Sequence, residues 1–145
     1  MIKVMSIVVK RVYEPVSRTD GARVLVDRLW PRGLRKSEIA LDDWLRDLAP
    51  SNELRKWFHA NSDHWAVFRR RYAKELESPE AREDLQKLYD LAGNRKRLTL
   101  LFASKNLTHN NAVVLKQLLE GMPKPPTGTG PLRPVRAREA AIRRR

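Results

Sequence analysis

The chain has 145 residues, of which 41% are hydrophobic, no cysteine, and a formal charge of +13 from 30 Lys and Arg against 17 Asp and Glu. That length and apolar content suit one domain with a real core, and the missing thiols exclude disulfides, thiolate zinc sites and cysteine nucleophiles. No apolar run approaches the roughly 18 residues of a membrane span, and Met1 to Met5 carries one lysine and no small-residue cleavage pattern, so a cytoplasmic setting and no membrane partner are expected.

Ser6 to Val12 is short and β-branched, which predicts a first strand. Pro15 and Asp20-Gly21 then mark a turn-rich connection, and Ala22 to Asp27 reads as a second strand that is nearly all apolar, as in a sheet covered on both faces. Pro31 and Gly33 end it. Leu41, Trp44, Leu45 and Leu48 follow at helical spacing, with Asp42 and Asp43 at the N-terminal end and Pro50 just beyond, so a helix is expected there. Ser51 can cap the next, whose apolar face is Leu54, Trp57 and Phe58. A third from Ser62 places Trp65, Phe68, Tyr72 and Leu76 on one face. Ser78-Pro79-Glu80 opens a fourth with Leu85, Leu88, Tyr89 and Ala92 inward and Gly93 closing it.

Arg97 to Ala103 returns to strand character through the run Leu98-Thr-Leu-Leu-Phe-Ala103. The polar loop from Ser104 leads into a last helix near Asn110 to Glu120, with Gly121 at its C-terminal cap. Residues 122–145 change composition: five prolines and two glycines, then arginines, with seven basic residues against one acidic, predict a flexible basic tail. The pattern defines an α/β fold. A small, mainly parallel sheet of three or four strands is flanked by about five or six helices in one domain over 1–121, followed by the tail. An antiparallel hairpin of the first two strands is the alternative, since nine residues join them.

Chemistry concentrates at two strand ends. In α/β sheets the carboxyl ends of strands open into the ligand crevice, which puts Asp27, Arg28, Trp30 and Arg32 at the mouth of a site. If the strands ending at Asp27 and Ala103 are adjacent and parallel, those ends lie about 5 to 10 Å apart, and Asp27 faces the 104–111 loop. That loop carries Lys105 beside a helix N-terminus, a favourable place for an anion. One of Thr108, His109 and Asn110 is expected to cap the helix. Asn111 precedes Val114 and Leu115 by three and four residues, so it points along the apolar side and needs a partner. Trp30 is either a core anchor or a stacking platform, and Asp27 either pairs with arginines to fix the turn or acts as a base. His59 and His64 sit around a helix break with no third ligand nearby, which gives no metal site, although a crevice role for His59 stays open.

The segments Val9-Lys-Arg-Val-Tyr13, Arg23-Val-Leu-Val-Asp-Arg-Leu-Trp-Pro-Arg-Gly33, Leu48-Ala-Pro-Ser51, Leu54-Arg-Lys-Trp-Phe58, Phe68-Arg-Arg-Arg-Tyr72 and His109-Asn-Asn-Ala-Val-Val-Leu115 together resemble the YeaO-like family of bacterial proteins, within domain of unknown function 488. The resemblance runs over about residues 6–121. It implies a compact cytoplasmic α/β domain with a small sheet and carries no established reaction. Wider relatives carry Cys-His-Arg where this chain has Thr108-His109-Asn110, so cysteine-dependent chemistry is not carried over.

Three functions fit these residues. The first is binding of a phosphate-bearing small molecule or nucleic acid, with Arg28, Arg32 and Lys105 on phosphate, Trp30 stacking, and Asn110 and Asn111 hydrogen-bonding, with no cofactor. The second is a hydrolase or transferase using Asp27 or His109 as base on a glycosidic or phosphoester bond. The third is a noncatalytic interaction protein, as in a homodimer joined by arginine salt bridges.

Overall fold

The computed structural model describes residues 6–94 and 97–121; the expected basic tail lies outside them. Four strands, β1 (Ile7–Arg11), β2 (Ala22–Leu25), β3 (Asp43–Trp44) and β4 (Leu98–Phe102), form one sheet in the order β1-β4-β2-β3, with every pairing parallel. Five helices accompany them: α1 (Lys36–Ile39), α2 (Asn52–Ala60), α3 (Trp65–Glu75), α4 (Pro79–Asn94) and α5 (Asn111–Gly121). The α/β class follows. The hairpin alternative fails because β4 lies between β1 and β2, pairing Ile7 with Leu98 on one side and Ala22 with Leu98 on the other. A parallel sheet must bury both faces, and the alternation of side chains shows how it does so.

One face carries Ile7, Val24, Val26, Leu98, Leu100 and Phe102 into a core closed by α2 to α5, with Leu54, Phe68, Tyr72, Leu88 and Leu115 from the helices. The other face holds Leu25 and Leu101 against Ile39 of α1, with Trp30, Leu34 and Trp44 packed around them. Its upstream half is charged. Arg23 is buried in β2, and its guanidinium donates to Asp20 at 2.5 Å and to the Ile39 carbonyl at 2.7 Å. Lys10 reaches Asp20 from β1 at 3.0 Å, and the Thr99 hydroxyl donates to the Asp20 carbonyl. Burial alone would raise the Asp20 carboxyl, but donors from the Ser17 backbone, Lys10 and Arg23 outweigh it and hold it below its ordinary value.

The segment after Leu41 departs from its predicted helix. Only Arg46–Leu48 coils, as a single 3-10 turn, while Asp43–Trp44 adds an edge strand to β2. Edge hydrogen bonds explain the change: Asp42 N–H donates to the Arg23 carbonyl and Leu45 N–H to the Leu25 carbonyl, and the Asp42 carboxylate accepts Arg23 N–H at 2.8 Å. The apolar spacing survives because Leu45 and Leu48 still point into the core across that turn.

Gly21 sits at φ 68° where the chain enters β2, and a Cβ there would lie 2.0 Å from the Arg97 carbonyl oxygen, which accepts Ala22 N–H. Gly21→Ala therefore loses about 2 kcal/mol or more in urea unfolding, from backbone strain and the contact together. Asp20→Asn loses about 3 kcal/mol at neutral pH by stranding Arg23. Because the Asp20 carboxyl is lowered in the folded state, its stabilisation is present above the ordinary value of 3.8 and fades as pH falls through the folded value. Unfolding curves of the two proteins thus converge at acid pH; a gap independent of pH would contradict this ion cluster.

Candidate functional site

The ends of β2 and β4 open into a crevice of about 610 Å³. Its walls come from the 27–32 turn, the 49–50 link, α2 and the 103–111 segment. The expected adjacency of Asp27 and the 104–111 loop is therefore realised, and by direct contact. The Asp27 carboxylate accepts Ala103 N–H from the end of β4 at 2.9 Å and the Asn111 side-chain amide from the first turn of α5 at 2.9 Å. That amide also donates to the Val26 carbonyl at 2.9 Å, which answers the need of Asn111 for a partner. Burial raises the Asp27 carboxyl above its ordinary value, opposed by the Asn111 and Ala103 hydrogen bonds and by the charge of Arg55. Both hydrogen-bond partners are donors, which suits the carboxylate form.

The other predicted residues occupy distinct places around this centre. Arg28 donates to the Ala49 carbonyl at 3.2 Å and the Pro50 carbonyl at 3.3 Å, so it ties the turn to the segment ahead of α2. Trp30 donates to the Leu34 carbonyl at 2.7 Å and meets Trp44 edge-on with ring centroids 5.2 Å apart. It lines the crevice from within the smaller core. Arg32 and Lys105 are exposed at the mouth, and the Arg32 carbonyl accepts the Tyr13 hydroxyl. Asn110 is the cap of α5. It is buried, its Oδ1 accepts Val113 N–H at 3.0 Å, and its amide donates to the Asn106 carbonyl. His109 lies flat on Trp65, rings 4.5 Å apart and 12° from parallel. Among the described residues no hydrogen bond joins its ring to Asp27.

Sequence reading passed over Arg55 and Arg11. Arg55 and His59 stand one turn apart on α2, and both line the crevice together with Phe58. The signal was their spacing of four beside the apolar Leu54, Trp57 and Phe58 stripe, which places them at its border. Arg11 donates to the Ala103 and Ser104 carbonyls at 2.9 and 3.0 Å, holding the loop that carries Lys105. α2 itself is set by Ser51, whose hydroxyl accepts Leu54 N–H and donates to Glu75 of α3. No group of three or more metal-ligating side chains occurs among the described residues.

A parallel α/β sheet with a basic crevice at its strand ends defines the class of this protein. Residues 6–129 match the family model described as the inactive DUF488-N3 subclade, a match that runs on past Gly121. The chain belongs to the YeaO-like DUF488 family. It is 46% identical over 118 residues to a relative named uncharacterized protein YeaO, from Escherichia coli K12, covering 81% of this chain and all of that one. The proteins named uncharacterized protein Mb3100c, of Mycobacterium bovis, and uncharacterized protein Rv3073c, of Mycobacterium tuberculosis, are each 40% identical over 121 residues, 83% of this chain and 99% of theirs. No solved structure matches the chain. No helix of the described residues is long and apolar enough to cross a membrane.

Asn111→Leu removes the bonds to Asp27 and Val26 and lowers unfolding free energy by about 2 to 4 kcal/mol near neutral pH. The loss shrinks in acid. Without the Asn111 donor the folded Asp27 carboxyl is raised further, so this part of the loss grows as pH climbs through the wild-type folded value, itself above 3.8, while the part from the unpaired Val26 carbonyl is the same at every pH. Urea titrations across that range check the slope, and an equal loss at every pH would contradict the pairing.

Proposed function

We propose that the crevice binds a phosphate-bearing small molecule without turning it over. The carrying observation is its charge balance. Arg28, Arg32, Arg55 and Lys105 line it with one carboxylate, Asp27, whose oxygens already accept from Ala103 and Asn111. Phosphate is the anion best matched to guanidinium and ammonium donors held around one opening. The volume of about 610 Å³ is that of a small-molecule cleft.

The binding reading gains on the enzyme reading at three points. Asp27 holds one structural donor on each oxygen, His109 is stacked on Trp65, and the chain has no cysteine to serve as a nucleophile. The matching subclade is described as inactive, which agrees with this. Net charge favours nucleic acid through counterion release, but seven of the basic residues fall within 122–145, outside the described residues, whereas the crevice itself is lined by four cations.

Calorimetric titration of the full chain with inorganic pyrophosphate at low salt tests the proposal. Binding is expected, with Arg55→Ala and Lys105→Ala each weakening it about three- to tenfold and added salt weakening it further. Absence of binding, or affinity untouched in both variants, would refute it.

A further inference from the structure

Floor and rim of the crevice differ in hydrogen-bonding character. The cations Arg32, Arg55 and Lys105 offer donors alone. Where β2 and β4 end, the side chains of Asp27 and Asn111 offer acceptors. Each Asp27 oxygen holds one N–H donor and retains a second lone pair. The Asn111 nitrogen is spent on the Val26 carbonyl and Asp27, which leaves its Oδ1 as the remaining group of that amide. Two half-buried rings line the same cavity: Phe58, backed by the buried Phe68 with centroids 4.2 Å apart, and His109, backed by Trp65. Such a wall suits a planar ring, which gains from aromatic contact whatever its substituents.

Resting on the phosphate-binding reading, we propose that the ligand is a nucleoside monophosphate whose base presents donors to Asp27 and Asn111, guanine rather than adenine. Guanine places N1–H beside an exocyclic amine, two adjacent donors that a carboxylate accepts together. Adenine opposes the carboxylate with an N1 lone pair. Hypoxanthine keeps N1–H and lacks the amine, so it ranks between them. Leaving a buried acceptor unmatched is what makes such a site discriminate.

Isothermal titration of the full wild-type chain with guanosine, inosine and adenosine 5′-monophosphates and with ribose 5-phosphate, all at one low salt concentration, tests this. Guanosine monophosphate is expected to bind at least about tenfold tighter than adenosine monophosphate, with inosine monophosphate between and ribose 5-phosphate weakest. Asp27→Asn keeps a side-chain oxygen for Ala103 N–H, and in a variant that unfolds cooperatively the guanine-to-adenine ratio falls to about threefold or less. Adenosine monophosphate or ribose 5-phosphate binding as tightly as guanosine monophosphate overturns the base-edge proposal and leaves the phosphate site standing. Failure of all four to bind overturns both. A guanine preference unchanged in Asp27→Asn overturns Asp27 as its reader.

Discussion

The carboxylate of Asp27 joins three elements that no backbone ladder connects at that point. β2 has ended, β4 is one residue past its last strand position, and α5 is just beginning, yet Ala103 N–H and the Asn111 amide both terminate on this side chain. Burial disfavours the charge, and the donors around it make the charge tolerable. This carboxylate is satisfied from the protein side, so the walls of the crevice diverge beside it without leaving it unpaired.

Around this point the scaffold is held by arginines acting on backbone carbonyls. Arg28 holds 49–50, Arg11 holds 103–104, and Arg23 holds 39–40 on the far face. A guanidinium suits this role because its fork supplies several donors in fixed directions. Among the described residues, basic side chains thus serve two different roles, which the charge total does not separate. Arg11, Arg23 and Arg28 fasten loops, whereas Arg32, Arg55 and Lys105 face the opening.

Much of this was readable from the residues. The apolar run at 98–103 and the block from Val24 to Gly33 located both strands and the crevice between their ends, because a buried parallel strand needs continuous apolar sequence and its polar exit is abrupt. Asn111 announced itself as a polar group on an apolar face. The stretch 41–48 misled because its spacing fits a helix, while hydrogen bonds to the open edge of β2, invisible to periodicity, extended half of it. Arg55 was hidden for a related reason: on its own helix it looks like a solvated residue, and only the docking of α2 against α3 turns it toward Asp27. Asn110 could be named as one of three candidate caps, but choosing it required the Asn106 turn, whose carboxamide oxygen gathers Thr108 N–H and His109 N–H.

The opening between β2, β4 and α5 is proposed here as a ligand site built on Asp27. Amide chemical-shift mapping of the full chain with a nucleoside monophosphate tests it most directly. Saturable shifts are expected at residues 27–32, 55–59 and 103–111, with the Asn111 side-chain amide among them. Shifts confined to residues outside those walls, or none at millimolar ligand, would contradict it.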